Sequence, residues 1–107
     1  MNTNQTFDKI ALLSLAFHGL PEDELQKMAV LTRLCTYPKD HVLCREGAYE
    51  DVFYILAEGS AVISKTISEN EGERFLRFAG VGDLIGEMAL IQNAPRAATV
   101  RTVTECT

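Results

Sequence analysis

Residues 86–98 place an acid and an arginine on either side of a short apolar stretch. Arg96 carries a planar fork of N–H donors that suits a phosphate group. Glu87 follows Gly86 at a point where a helix can begin, and its carboxylate can accept a hydrogen bond from a sugar hydroxyl. Arg96 lies nine positions after Glu87. The segment therefore has the side chains needed to hold a sugar phosphate.

The backbone of this segment also suits an anion. Gly86 permits a close approach of the main chain, and residues 87–91 are long enough for one helical turn, whose first amides would point at an anion. Pro95 then ends the turn. An alternative reading of the same residues is an ordinary ion pair between Glu87 and Arg96 at the surface.

Composition limits the classes of protein to which the chain can belong. Its 107 residues, 47% of them hydrophobic, allow one domain with a single core. With 15 acidic and 10 basic residues the net charge is −5, which argues against general binding of nucleic acid. The chain has no apolar run near the ~18 residues of a membrane span, and its first residues lack the pattern of a signal peptide.

The three cysteines, Cys35, Cys44 and Cys106, have no CxxC spacing. They therefore predict neither a disulfide framework nor a zinc site, and we expect a reduced, cytoplasmic protein. His18 and His41 belong to no nucleophilic or metal-binding arrangement. We expect no catalysis, no metal ion and no cofactor.

Two nucleotide-binding sequences can be excluded. Residues 80–86 are rich in glycine, but the spacing is GxGxxxG rather than GxGxxG. They also follow several short β segments, whereas a dinucleotide-binding loop follows the first strand of a βαβ unit. The chain contains no GxxxxGK followed by Ser or Thr, so a P-loop is unsupported.

Residues up to about 34 have the periodicity of two helices. Their apolar faces are Ile10, Leu13 and Phe17 in the first helix and Leu25, Met28 and Ala29 in the second. Gly19 can end the first helix with a positive φ, and Pro21 suits the first position of the second, which continues with three acidic residues. We expect both faces to lie in the core.

From Cys35 onward the period shortens toward two and turn residues recur every eight to twelve positions, which is typical of an antiparallel sandwich or barrel. Strands are predicted near residues 35–37, 41–45, 52–57, 60–67, 74–79 and 97–103. Turns are predicted at residues 38–40, 46–48 and 58–60, with a hairpin tip at 70–72.

The sequences Gly-Glu-Met-Ala-Leu-Ile, at residues 86–91, and Asn-Ala-Pro-Arg-Ala-Ala-Thr-Val, at 93–100, resemble the phosphate-binding cassette of the cyclic nucleotide-binding domain family. This family includes the regulatory subunits of cAMP-dependent protein kinase, cyclic nucleotide-gated channels and the bacterial catabolite activator group. Residues 17–25 are similar to its N-terminal helical segment. Residues 45–47 are similar to its first barrel turn, and residues 53–59 to the strand and glycine turn that follow.

The resemblance implies a mainly β fold with flanking α-helices. The expected architecture is an antiparallel β-roll, a jelly-roll-like barrel, preceded by two N-terminal helices and with a short phosphate-binding helix inserted. Residues 1–107 would form a single domain, helical in 1–34 and a β-roll in 35–107. After the strand near Val103, family members normally continue with another strand and one or two lid helices, which we expect to be missing here.

Carried over position by position, the resemblance implies that Glu87 binds the ribose 2′-hydroxyl and that Arg96 pairs with the exocyclic phosphate oxygens. Backbone amides near Ala89 and Ala97 would complete the cradle, and Gly86 would give access to it. The implied ligand-binding residues are Gly86, Glu87, Met88, Ala89, Arg96 and Ala97.

The base preference follows from the same resemblance. Ala97 stands where many cGMP-selective members carry threonine, whose hydroxyl meets the guanine amino group. Alanine offers no such contact, so the expected ligand is cAMP, with cGMP as the other possibility. Ile63 and Ile85 are candidates for an apolar wall beside the base.

The resemblance implies a non-catalytic regulatory module whose effector lies in another domain or chain, with no membrane segment and no direct contact with nucleic acid. One alternative is a β-roll interaction domain that no longer binds nucleotide. Another is the effector-binding part of a bacterial transcription regulator, although no helix-turn-helix follows. Apolar surface that the missing helices would cover favours a partner or self-association.

Overall fold

The computed structural model describes residues 8–68, 70–87 and 94–107. Within these ranges the chain forms two helices and then six strands. The helices are α1 (Lys9–Ala16) and α2 (Glu22–Leu31). The strands are β1 (Val42–Cys44), β2 (Tyr54–Ile55), β3 (Ala61–Ser68), β4 (Gly72–Ala79), β5 (Leu84–Ile85) and β6 (Thr99–Thr102).

The two predicted helices are confirmed, and their ends follow from local chemistry. Asp8 caps α1, since its carboxylate accepts a hydrogen bond of 3.1 Å from the Ala11 N–H. Gly19, beyond the end of α1, has the positive φ expected of it, +88°. Pro21 is the N-cap of α2 rather than its first residue, and the three acidic residues that follow favour the positive end of the helix dipole.

The helices pack on each other through a few residues. Leu13 of α1 and Leu25 of α2 are buried, whereas the other residues of the two predicted faces are half-buried. The Lys9 ammonium crosses to the last turn of α2 and donates to the carbonyls of Ala29 (3.3 Å) and Thr32 (2.9 Å), which satisfies carbonyls that a helix end leaves unpaired. Neither helix in the described part of the chain has the length and apolar character needed to cross a bilayer.

The strands form two antiparallel sheets, with the order β1-β6-β3-β4 in one and β2-β5 in the other. The mainly β, antiparallel fold preceded by two helices is therefore as predicted. The ladder does not run continuously from one sheet to the other among the described residues, so the barrel is not closed. The predicted phosphate-binding helix falls almost entirely on residues 88–93, which lie outside those described.

Five of the six strand predictions are confirmed with bounds that differ by at most two residues at either end, and two points need correction. Residues 35–37 form no strand, because only Tyr37 pairs, in an isolated bridge with Cys106. β5 was not predicted, since two residues are too few to show a period of two. The predicted tip of the β3–β4 hairpin at 70–72 overlaps the observed turn at residues 70 and 71, while Gly72 already belongs to β4.

The core lies where the two sheets meet. Its buried members are Leu43, Cys44, Leu56, Ala61, Ala79, Ile85, Val100 and Cys106. Ile85 comes from the small sheet and Val100 from the centre of the large one, so the short β5 brings the start of the cassette against β6. Burial of these side chains is the main force that holds the two sheets together.

A bulge in the hairpin sets which side chains face the cassette. Ile63 pairs with Arg77 and Ser64 pairs with Phe75, so Leu76 is an extra residue in β4. Directly opposed residues share a face of a sheet. The bulge therefore places Arg77 on the same face as Ile63.

Candidate functional site

Arg96 is the centre of the predicted site, and it is buried. The residue is 7% exposed, and its guanidinium bonds to three acceptors. Nε donates to the Glu50 carboxylate (3.1 Å), Nη1 donates to the Gly86 carbonyl (2.8 Å), and Nη2 donates to the Val52 carbonyl. A guanidinium has five N–H donors, so one donor on each terminal nitrogen has no acceptor among the described residues and is available to an anion.

The alternative of a surface ion pair between Glu87 and Arg96 is wrong. The carboxylate paired with Arg96 among the described residues is that of Glu50, and the side chain of Arg96 is only 5% exposed. A buried guanidinium with one carboxylate partner and two carbonyl partners is positively charged and well oriented. This arrangement suits an anionic ligand.

Gly86 is required by its contact with Arg96. Its φ is +83°, which disfavours any side chain, and a Cβ at this position would meet Nη1 of Arg96 and lie 3.0 Å from Cζ. The guanidinium therefore lies directly against the glycine. The sequence predicted that Gly86 gives access to a ligand, and the structure adds that it makes room for the arginine.

The backbone on both sides of Arg96 is fixed by the turn at residues 46–48. The Arg96 N–H donates to the Ala48 carbonyl (2.8 Å), and the Gly47 N–H donates to the Arg96 carbonyl (2.9 Å). One step further, the Glu46 N–H donates to the hydroxyl of Thr99 (3.0 Å). No acceptor within the described ranges receives the N–H of Ala97, so this amide can bind a ligand oxygen.

A cavity of about 300 Å³ lies beside these groups, within the usual size range of small-molecule sites. Four of the predicted ligand-binding residues line it, together with both predicted wall residues. They are Gly86, Glu87, Arg96 and Ala97, with Ile63 and Ile85. Met88 and Ala89 lie outside the described residues.

The sequence did not identify three further residues at this site. Glu50 lies 46 positions before its partner Arg96, and no local signal marks it. Arg77 lines the cavity because the bulge in β4 aligns it with Ile63. Cys44 also lines it, and β1 is too short and too uniformly apolar to show in the sequence which residue faces the cavity.

The Cys44 thiol is protonated at neutral pH. Burial raises its pKa above the ordinary value, while the positive charge of Arg96 acts in the opposite direction. The thiol therefore adds an apolar, uncharged wall to the cavity. In the described part of the chain no three His, Cys, Asp or Glu residues group as metal ligands.

A second and larger groove, of about 710 Å³, lies between the helices and β2. Its lining is mainly apolar and includes Leu12, Leu34, Phe53 and Tyr54. Neither Glu87 nor Arg96 lines it. Size alone would favour this groove, but the smaller cavity has the acid, the guanidinium and the backbone amide that an anionic sugar requires.

Comparison with known proteins agrees with this geometry. The sequence model described as the cyclic nucleotide-binding domain matches residues 34–107. The chain is 33% identical over 94 residues to the cAMP-dependent protein kinase regulatory subunit of Mycosarcoma maydis, covering 88% of this chain and 18% of that protein. It is 31% identical over 84 residues to a cGMP-dependent protein kinase, isozyme 2, of Drosophila melanogaster, covering 78% and 9%.

Among solved structures, the regulatory domain of Toxoplasma gondii PKA, crystallised with cAMP, is similar with a TM-score of 0.84 and 34% identity, covering 92% of this chain and 38% of that one. The chain thus spans less than a fifth of the length of the two curated relatives. The match to residues 34–107 covers most of the chain and includes every residue of the cavity. The chain belongs to the cyclic nucleotide-binding domain family.

Proposed function

We propose that this chain is a non-catalytic regulatory module that binds cAMP in the cavity beside Arg96. The observation that carries the proposal is the buried guanidinium, which contacts the Gly86 carbonyl and has, within residues 8–68, 70–87 and 94–107, one donor without an acceptor on each terminal nitrogen. A single phosphate charge would replace water there without leaving the arginine unpaired. The relative from Toxoplasma gondii was crystallised with cAMP.

The roles of the residues follow from their chemistry. Arg96 would pair with the exocyclic phosphate oxygens, and the Ala97 N–H would donate to one of them. Glu87 would accept a hydrogen bond from the ribose 2′-hydroxyl. The apolar side chains of Ile63 and Ile85 would cover part of the base. Parallel roles for Met88 and Ala89 remain predictions from the sequence.

The output of the module would lie in another domain or chain. The curated relatives are a regulatory subunit and a kinase, both several times longer than the matched segment. Coupling of ligand binding to an effector requires a contact that differs between the bound and free states. The hydrogen bond between Arg96 and Glu50 is one contact that an incoming phosphate would alter. We place the module in the cytoplasm, since the three cysteines are all free thiols.

A second candidate ligand, cGMP, is favoured by Arg77. Arginine pairs with the O6 and N7 acceptors of guanine, whereas adenine presents an amino donor in place of O6. Arg77 lines the cavity opposite Ile63, and Asp83 lies 3.8 Å from its Nη1. Ala97 favours cAMP instead, because it lacks the threonine hydroxyl that many cGMP-selective family members have at this position.

A thermal shift with cAMP, cGMP and AMP separates these possibilities. A ligand at 100 times its Kd stabilises a domain by ~2.7 kcal/mol, which raises the Tm of a protein of this size by roughly 10 °C or more. We expect a shift with cAMP and none with AMP, whose phosphate is dianionic and not constrained in a ring. A larger shift with cGMP would favour the second candidate, and no shift with either would favour an interaction domain.

Calorimetry on Arg96→Ala tests the assigned role directly. Loss of the guanidinium would leave the phosphate without its charged partner, and we expect binding of cAMP to weaken by about 3–5 kcal/mol. The control is Arg101→Ala, which removes an exposed arginine on β6. Less than a tenfold loss in Arg96→Ala would refute the role, provided that its melting curve shows a folded protein.

A further inference from the structure

Lys65 joins the long hairpin to the cassette. It lies in β3, and its ammonium Nζ is 2.8 Å from the Ala97 carbonyl oxygen and 3.4 Å from a carboxylate oxygen of Glu46. The side chain of Lys65 is 48% exposed and that of Glu46 is 24% exposed. A lysine with this much access to water has many other conformations available, so its place on a single carbonyl depends on the carboxylate beside it.

Glu46 is itself held from two directions. Its other carboxylate oxygen accepts the Thr66 N–H at 2.8 Å, and its own N–H donates to the hydroxyl of Thr99. The hydrogen bond from the Thr66 backbone is the main cause of a lowered pKa at Glu46, with Lys65 adding to it. The carboxylate is therefore ionised at neutral pH and can orient the ammonium.

The contacts fix both peptide planes that flank Ala97. In a trans peptide the C=O and the following N–H point in opposite directions. The Gly47 N–H holds the Arg96 carbonyl, which sets the direction of the Ala97 N–H. Lys65 holds the Ala97 carbonyl, which sets the direction of the Ala98 N–H. Ala97 and Ala98 both line the candidate cavity.

We propose that Glu46 and Lys65, the Glu46–Lys65 clamp, are positioning residues that hold the peptide between Ala97 and Ala98 and thereby fix the backbone of Ala97 in the conformation required to bind the nucleotide phosphate. This inference rests on the proposed function, which assigns the Ala97 N–H to the phosphate. The clamp does not touch the ligand. It restricts the backbone that contacts the ligand, so less conformational entropy is lost when the nucleotide binds.

Two substitutions separate positioning from simple attraction between Lys65 and the phosphate. Lys65→Met keeps the aliphatic stem and removes the charge, so both explanations expect weaker binding. Glu46→Gln removes a negative charge near the site, and attraction alone would then give tighter binding. If Glu46 and Lys65 position the backbone, Glu46→Gln weakens binding, because the glutamine amide still accepts from the Thr66 N–H but no longer holds the Lys65 ammonium.

Titration of cAMP and cGMP into each variant is the test. We expect Lys65→Met and Glu46→Gln each to weaken binding by about threefold to tenfold, the double variant to be no worse than either, and Lys65→Arg to retain affinity. Lys39→Met, in the turn before β1, is the matched control. Tighter binding by Glu46→Gln, or unchanged binding by Lys65→Met, would overturn the clamp.

An amide spectrum of the ligand-free protein gives an independent readout. Loss of the ammonium from the Ala97 carbonyl should shift the N–H signal of Ala98 in Lys65→Met and in Glu46→Gln but not in Lys39→Met. An unmoved Ala98 signal would overturn the clamp even where affinity falls. A wild-type chain that binds neither nucleotide would overturn the proposed function and the clamp's role with it, whereas equal binding by wild type and Lys65→Met would overturn the clamp alone.

Discussion

The Nε–H of Arg96 donates to the carboxylate of Glu50 over 3.1 Å, so the arginine assigned to the phosphate already has an anionic partner. The two side chains differ in environment, since that of Arg96 is 5% exposed and that of Glu50 is 40% exposed. The carboxylate can therefore remain hydrated while the guanidinium is enclosed. A phosphate entering the cavity must share the positive charge with Glu50.

Glu50→Gln should strengthen binding of the nucleotide. The amide oxygen of glutamine can still accept from Nε, which keeps the guanidinium oriented, while the negative charge that competes with the phosphate is gone. We expect affinity for cAMP to rise about twofold to fivefold, as for other partly exposed charges, and the gain to shrink at high salt.

Glu58→Gln is the control for this substitution, because Glu58 is an exposed carboxylate in the turn before β3. Calorimetry at two salt concentrations measures both effects. If Glu50→Gln instead lowered affinity, the main contribution of Glu50 would be to orient the arginine rather than to compete with the ligand.

Gly86→Ala should damage both stability and binding, and Gly19→Ala only stability. Both glycines have a positive φ, +83° and +88°, so alanine is strained at each by about 1 kcal/mol. At Gly19 an added Cβ meets nothing within 4 Å, whereas at Gly86 it meets the Arg96 guanidinium. Displacing that group would also free the carbonyls it holds, at ~1–3 kcal/mol.

Urea unfolding and cAMP titration of the two variants give the comparison. We expect a loss of about 1 kcal/mol for Gly19→Ala with normal affinity, and a larger loss for Gly86→Ala with affinity reduced at least tenfold. Equal losses of stability and equal affinities would show that Arg96 relaxes away from the glycine without cost.

The sequence located the cassette because its chemistry is local. Gly86, Glu87, Arg96 and Ala97 lie within twelve positions, and all of them line one cavity. The partner of Arg96 could not be predicted, because Glu50 reaches it only through the packing of the roll, from a loop whose own sequence has no periodicity. Local sequence therefore predicts candidate residues that the fold brings to one cavity, but not the residues that hold them there.

The strands show the same division. The hairpin of β3 and β4 was predicted because it is long and closed by Asn-Glu-Gly. The bulge at Leu76 was not, since it depends on the pairing partner, and it is the bulge that aligns Arg77 with Ile63. β5 has only two residues, yet it places Ile85 in the core and Gly86, which follows it, against Arg96.

Ala97→Thr tests the base preference. A threonine hydroxyl at this position would supply a hydrogen bond to the guanine amino group, a contact that adenine cannot make. We expect the ratio of cGMP to cAMP affinity to rise about fivefold to tenfold, the equivalent of one hydrogen bond of ~1–1.5 kcal/mol. Competition binding measures the ratio in one assay.

Ala98→Thr is the matched control, since it adds the same side chain one position later. Arg77→Met completes the test. If Arg77 hydrogen-bonds to the guanine base, loss of its guanidinium should lower cGMP affinity more than cAMP affinity. A ratio that Ala97→Thr leaves unchanged would mean that position 97 does not face the base in the bound state.

The protein should lose stability in alkaline solution as Cys44 ionises. Burial raises the pKa of this thiol above its ordinary value of 9.0, so the unfolded chain gives up the proton at lower pH than the folded one. The contribution of Cys44 to the free energy of unfolding is then constant below the unfolded pKa and is lost as pH rises through the folded pKa, by about 1.4 kcal/mol for each unit between the two values. Burial also raises the pKa values of Tyr37 and Tyr54, which extends the fall above pH 10.

Urea unfolding between pH 7 and 11 measures this dependence. Cys44→Ala leaves a small cavity and should be less stable than the wild type at neutral pH, but its stability should stay level between pH 9 and 10, where the wild type declines. Iodoacetamide should modify Cys44 only at the rate at which the chain opens, because the 2% exposed thiol is neither accessible nor ionised at neutral pH. Parallel pH profiles for wild type and Cys44→Ala would show that the thiolate is accommodated in the folded state, with the charge of Arg96 as its partner.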